Sequence, residues 1–200
     1  MNHKSTSSRL GGVVLCGGHS RRMGQPKEWL RADGEYVLVR AAMVLGEVAD
    51  KVVVAARTGQ ELPPLPMGVE VVRDRFADAG PLAGLAAGME ALQDHCDAII
   101  VAPCDHPWIR ADFLRRLIEE LGTSPAVVLK QGDRIYPLLG VYRMSALPML
   151  VECLERGDHR AAGFAQACGA RFVDADIFRE IDPELESLRN VNTTGDWEKA

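Results

Sequence analysis

Short, largely apolar runs at residues 12–16, 51–55, 69–72 and 98–102 alternate with segments of helical spacing at 36–48 and 81–93. Gly12-Val13-Val14-Leu15-Cys16 and Ala98-Ile99-Ile100-Val101-Ala102 lack the polar alternation of a strand with one wet face. Strands covered on both faces read this way, and they belong to parallel sheets sandwiched between helices. Strand, helix and strand in that order call for right-handed crossovers. The expected fold class is therefore α/β, a three-layer, doubly wound, mostly parallel sheet. Further along, a helix is expected at 111–121, and strands at 125–130 and 136–142 joined by the polar turn Gln131-Gly132-Asp133-Arg134. Helices at 144–156 and 160–168, a strand at 170–174 and a short final helix containing Glu198 complete the reading.

The chain has 200 residues, enough for one domain, and the expected organisation is a single domain over 1–200 with a flexible lead-in at 1–9. Leu62-Pro63-Pro64-Leu65-Pro66 is a surface connection too brief to be a domain boundary. With 47% apolar and 26% charged residues, the chain can bury a core, which excludes a disordered or collagen-like chain. The net charge of −5 makes non-specific binding to nucleic acid or anionic membrane a poor fit. No stretch approaches the roughly 18 apolar residues of a membrane helix. Five scattered cysteines, none in a C-x-x-C pair, fit neither a disulfide framework nor a structural zinc site, and point to a reducing cytoplasm.

The segment that follows the first apolar run carries the most chemistry. Gly17-Gly18-His19-Ser20-Arg21-Arg22-Met23-Gly24-Gln25-Pro26-Lys27 combines three glycines, two arginines and a lysine. Glycines let backbone N–H groups approach a ligand, successive amides form an anion-binding concavity, and Arg22 and Lys27 add positive charge. In an open α/β sheet such a loop lies where ligands bind, beyond the carboxyl ends of the strands. The P-loop pattern is absent, since Lys27 follows Gly24 by three residues and precedes Glu28. The dinucleotide fingerprint is absent too, because Gly17 and Gly18 are adjacent. An ordinary glycine-rich turn with solvated basic residues is the competing explanation.

Other segments place polar residues at predicted strand and helix ends. Asp74 ends the third run, where it would accept hydrogen bonds from a base or ribose, or from nearby backbone N–H groups in a plain loop. Gly80-Pro81-Leu82-Ala83-Gly84 has proline at a predicted first helical position and small residues that permit close approach. Asp105, in Pro103-Cys104-Asp105-His106-Pro107, stands at a strand's carboxyl end, the right place for a Mg²⁺ ligand or for the N-cap of a helix starting near Trp108. Cys104 and His106 have no companions at zinc-binding spacing. Asn190 and Asn192 flank Val191 near the chain's end, as substrate ligands or as part of a turn that caps a helix at Thr193 or Thr194.

Together these segments resemble the molybdenum cofactor guanylyltransferases, a family of nucleotidyltransferases whose signature loop is L-A-G-G-x-S-x-R-M-G-x-x-K. Leu15, Gly17, Gly18, Ser20, Arg22, Met23, Gly24 and Lys27 match it, with Cys16 in place of alanine. The G-P-L-A-G, P-C-D-x-P and N-V-N-T segments match as well, so the resemblance runs through nearly the whole sequence. It implies a Rossmann-like nucleotidyltransferase fold. It also implies nucleotide binding by Leu15, Cys16, Gly17, Gly18, Lys27, Asp74, Gly84 and Asp105, catalysis by Arg22, Lys27 and Asp105, and Mg²⁺ held by Asp105. Asn190, Asn192 and Tyr136 would meet the acceptor.

The implied reaction moves GMP from GTP to the terminal phosphate of molybdopterin or the molybdenum cofactor and releases pyrophosphate. A molybdoenzyme or cofactor-assembly protein is a candidate partner, with residues 141–154 either its docking surface or simply core. Ala55 stands where guanylyltransferases often carry a nucleotide-contacting Asn, Tyr136-Pro137 replaces a common His-Pro, and Thr194 replaces a proline. Cytidylyltransferase relatives carry L-A-A-G, whereas the missing Cβ at Gly17 leaves room for a purine. A molybdopterin cytidylyltransferase or another small-molecule nucleotidyltransferase is thus the alternative enzyme. A nucleotide-binding carrier is the non-enzymatic one.

Overall fold

The computed structural model describes residues 9–17, 26–76 and 79–191, and the expectations for Gly18, Ser20, Arg22, Asn192 and the helix at Glu198 lie outside them. A seven-stranded sheet organises the chain. Its strands are β1 (Leu10–Cys16), β4 (Lys51–Ala56), β5 (Glu70–Arg73), β6 (Ala98–Pro103), β7 (Ala126–Gln131), β8 (Arg134–Arg143) and β9 (Arg171–Asp174), in the order β5-β4-β1-β6-β8-β7-β9. β4 and β6 flank β1 in parallel, with Val13 level with Val53 on one side and Val101 on the other. Only β8 runs against its neighbours in this sheet, pairing antiparallel with both β6 and β7. The sheet is mostly parallel, as expected.

Alternation along β1 splits the core into two layers. Val14 and Cys16 face one side, together with Leu38 and Leu45 of α1 (Val37–Gly46) and Phe113 and Leu117 of α3 (Ala111–Glu119). Val13 and Leu15 face the other side, with Leu82, Leu85 and Met89 of α2 (Pro81–Leu92), Leu150 of α4 (Leu147–Glu155) and Phe164 of α5 (Ala161–Ala167). The stretch 141–154 is largely core, since Val141, Tyr142, Leu150 and Leu154 are buried.

The chain departs from the sequence expectations in three places. Tyr36 does not begin a helix; it belongs to β3 (Glu35–Tyr36), which pairs with β2 (Arg31–Ala32) across Asp33 and Gly34, both at positive φ. Asp-Gly is a strong hairpin signal because both central residues of the tight turn need that conformation. The helix expected at 144–156 starts instead as a 3₁₀ turn, Met144–Ala146, and becomes α4 just before Pro148, which suits a first turn because it needs no N–H donor. β5, expected to be covered on both faces, is an edge strand with Val71 40% exposed.

Topology fixes where a ligand can sit. The chain runs outward from β1 to β4 and β5, then returns to β1's other side with β6. A crevice opens at such a reversal, outside the carboxyl ends of the strands.

Candidate functional site

At the carboxyl ends of β1, β4 and β5 lies a cavity of about 440 Å³. Its apolar lining is made of Leu15, the small residues Ala55, Ala79 and Gly84, and the ring of Phe76, and its polar lining of Gly17, Arg57, Thr58, Asp74 and Arg75. Gly80, at φ 66°, lets the chain turn sharply into Pro81 at the start of α2. Gly84 keeps that helix close: a Cβ there would meet Leu15 Cδ2 at 3.3 Å and the Ala55 Cβ at 3.4 Å. Leu15, Gly17, Asp74 and Gly84 from the sequence reading thus share one cavity. Cys16 does not. Its side chain points into the opposite layer of the core, so only its backbone is available to a ligand in the cavity. A hydrogen bond with Cys16 and then burial push the Cys104 thiol well up, so it stays protonated.

Lys27 and Asp105 meet across 78 positions of sequence, with Lys27 Nζ donating to Asp105 Oδ2 at 2.7 Å. Lys27 opens a 3₁₀ turn, Lys27–Trp29, and Asp105 follows β6 in a turn. Asp105 caps no helix, because α3 begins only at Ala111, after Arg110. Both side chains are largely covered yet still reach solvent. Among the described residues no three His, Cys, Asp or Glu side chains converge on one point. A single hard carboxylate does not make a protein-only metal cage. It does fit Mg²⁺, which usually takes one or two carboxylates and completes its shell with water and substrate phosphates.

A second cleft, about 330 Å³, is lined by Tyr136, Asn190, Trp108, Arg134, Arg189 and Gln131. The guanidinium carbon of Arg134 lies 4.6 Å from the Tyr136 ring centre, and that of Arg189 lies 4.7 Å from the Trp108 ring centre. This cleft is tied to Asp105 directly. Val191 N–H donates to the Asp105 carbonyl at 2.9 Å, and His106 Nδ1 donates to the Ser187 carbonyl at 3.0 Å. Burial lowers the His106 pKa, leaving a neutral ring whose Nε2 is 3.9 Å from Asp105 Oδ1, too far for a hydrogen bond. Asp182 holds the segment behind this cleft by accepting from the backbone N–H groups of Glu186 and Ser187.

A model of the MobA-like NTP transferase domain matches residues 12–171, which include both ends of the Lys27–Asp105 pair. The chain belongs to this family. It is 30% identical over 189 residues to a molybdenum cofactor guanylyltransferase of Syntrophotalea carbinolica, covering 94% of this chain and 88% of that one. It is 32% identical to a probable molybdenum cofactor guanylyltransferase of Pelotomaculum thermopropionicum, covering 94% and 90%. The fold is shared with molybdopterin-guanine dinucleotide biosynthesis protein A from Archaeoglobus fulgidus, at a TM-score of 0.75 and 24% identity over 94% of this chain and 95% of that one. As a MobA-like protein the chain is a nucleotidyltransferase on a Rossmann-like sheet. Among the described residues no helix is long and apolar enough to cross a membrane.

Several residues of this MobA-like site escaped the sequence reading. Arg57 and Thr58 follow β4 directly, and their place at a strand's carboxyl end was the available signal. Trp108, Arg134 and Arg189 carried no local signal, because their cleft forms only when the 182–191 segment folds back beside the Asp105 turn.

Proposed function

We propose that this chain transfers GMP from GTP to the terminal phosphate of molybdopterin or the molybdenum cofactor. The observation that carries the reading is the Lys27–Asp105 pair beside the β1–β6 reversal, with a cavity on the β1 side and a cleft bonded to the Asp105 turn. The nucleotide occupies the first and the acceptor the second. A phosphate oxygen of the acceptor attacks the α-phosphorus of GTP, a new P–O bond forms, and the bond to the β-phosphate's bridging oxygen breaks to release pyrophosphate. The attacking phosphate is already ionised at neutral pH, so no side-chain base is required. Alignment and charge neutralisation then carry the catalysis.

Lys27 has three donors on its ammonium, so it can hold Asp105 and still donate to a phosphate oxygen. Arg22 adds a second positive charge, and the Gly17 and Gly18 amides add oriented dipoles. Mg²⁺ held by Asp105 supplies neutralisation of the triphosphate. Asn190 and Tyr136, with Asn192, meet the acceptor, whose flat ring suits a cleft holding two aromatic side chains stacked by arginines. The setting is cytoplasmic, and the partners are these two substrates rather than nucleic acid or membrane.

Guanine is favoured by one pair of side chains. Asp74 and Arg57 both line the nucleotide cavity. A carboxylate accepts from guanine N1–H and N2–H, and a guanidinium donates to O6 and N7. Cytosine offers an aspartate only its N4 amino group. A thermal-shift comparison of GTP, CTP, ATP and UTP with Mg²⁺ tests the choice. At 100 times its dissociation constant the bound nucleotide adds roughly 2.7 kcal/mol of stability. GTP is expected to give the largest shift; a larger shift with CTP would make the chain a cytidylyltransferase.

A further inference from the structure

Glu28 lies one residue past Lys27, is only 8% exposed, and has no role in phosphate binding, where a negative charge is unwelcome. A buried carboxylate persists only with partners. Gln60 Nε2 donates to Glu28 Oε1 at 2.6 Å, across 32 positions of sequence. The rest of the Gln60 amide is also engaged. Its Oε1 accepts from the Arg57 backbone N–H at 3.0 Å, and its Nε2 reaches Cys16 Sγ at 3.6 Å.

One side chain therefore joins three segments of the site. These are the end of β4 that borders the nucleotide cavity, the end of β1 where the glycine loop departs, and the turn that carries Lys27. Trp29 Nε1 donates to the Glu61 carbonyl at 3.3 Å, fastening the same turn to the same loop a second time. The turn needs such fastening. It is three residues long, follows Pro26, and has no side-chain cap of its own.

We propose that Gln60, acting through Glu28, is a positioning residue for Lys27 that sets the rate of nucleotidyl transfer rather than the affinity for nucleotide. The proposal rests on the reading above that Lys27 neutralises phosphate charge. Lysine is a point charge on a flexible four-carbon stem, so its aim depends on where the backbone holds the Cα. A displacement of about 1 Å in a positioned group costs on the order of 100-fold in rate. The Asp74 contact to the base is made elsewhere, and a change at Glu28 leaves the Gln60–Arg57 bond at the cavity's border in place.

The test is steady-state transfer with GTP, Mg²⁺ and molybdopterin, alongside thermal midpoints, for Gln60→Ala, Gln60→Met, Glu28→Ala, Glu28→Gln and Lys27→Ala. Gln60→Met and Gln60→Ala should each lower kcat roughly 10- to 100-fold. Glu28→Ala, which leaves Gln60 on the Arg57 N–H, should lower kcat as much, with KM for GTP within about threefold of the parent. Glu28→Gln keeps an acceptor for the Gln60 amide and should recover most of the loss. The Gln60→Ala/Glu28→Ala double variant should be no slower than either single one, because both break the same clasp.

Lys27→Ala separates the two layers of the argument. Unchanged kcat in that variant would remove the phosphate-binding reading itself. A large loss there, with kcat preserved in both Gln60 variants, would overturn the positioning role alone. So would losses that multiply in the double variant, or a fall in kcat no greater than the fall in folded fraction.

Discussion

The cavity beside β1 and the cleft beside the Asp105 turn are built from opposite materials. The first is floored by Leu15 and the small residues Ala55, Ala79 and Gly84, on strands, a loop and the first turn of a helix, with polar groups supplied at strand ends. The second is walled by Trp108, Arg134, Tyr136 and Arg189, long side chains from two strands' hairpin, a turn and the 182–191 segment. A rigid sheet edge stripped of side-chain bulk admits a ligand's flat body and its phosphates. Long stacked side chains instead shape a pocket around one ligand. On the proposed function the strand ends would bind the nucleotide and the cleft would choose the acceptor, with the Asp105 turn bonded to the cleft's segment through Val191.

If that division is right, three substitutions should fail in different ways. Asp105→Asn removes the carboxylate paired with Lys27 and should lower kcat by about 100- to 1,000-fold while the thermal midpoint holds. Steady-state kinetics with a melting curve check this, and unchanged turnover in a folded variant would break the assignment. Asp74→Asn should cut kcat/KM for GTP by roughly 10- to 100-fold, in line with the loss of one bidentate base contact. Its KM for molybdopterin should stay put, and comparing GTP with ITP, which lacks the N2 amino group, sharpens the test because the variant should narrow their difference. Arg134→Ala should raise the KM for molybdopterin by about fivefold, the scale of one partly exposed cation–π stack, and leave GTP kinetics alone. An equal change in both KM values would erase the boundary between the two regions.

The same division governs what could be read before folding. β1, β4 and β6 announced themselves as unbroken apolar runs, because burial on both faces leaves no room for polar alternation. Lys27 and Asp105 were legible because each sits immediately past a motif with a physical reason for its glycines or its carboxylate. The β2–β3 hairpin had a signal in Asp33-Gly34, just ahead of the helical spacing at 36–48 that claimed Tyr36. The Gln60–Glu28 bond and the Arg189–Trp108 stack had none, since nothing local in either sequence neighbourhood requires its distant partner. For Cys16, matching a motif names a residue without saying which face of the strand its side chain takes, and that side chain lies in the layer away from the cavity.

Pyrophosphate release tests the central claim most directly. With purified protein, Mg²⁺ and molybdopterin, GTP should release pyrophosphate in step with formation of the guanine dinucleotide, and omission of molybdopterin should stop it. Release with CTP but not GTP, or none from a folded protein that binds GTP, would contradict the account.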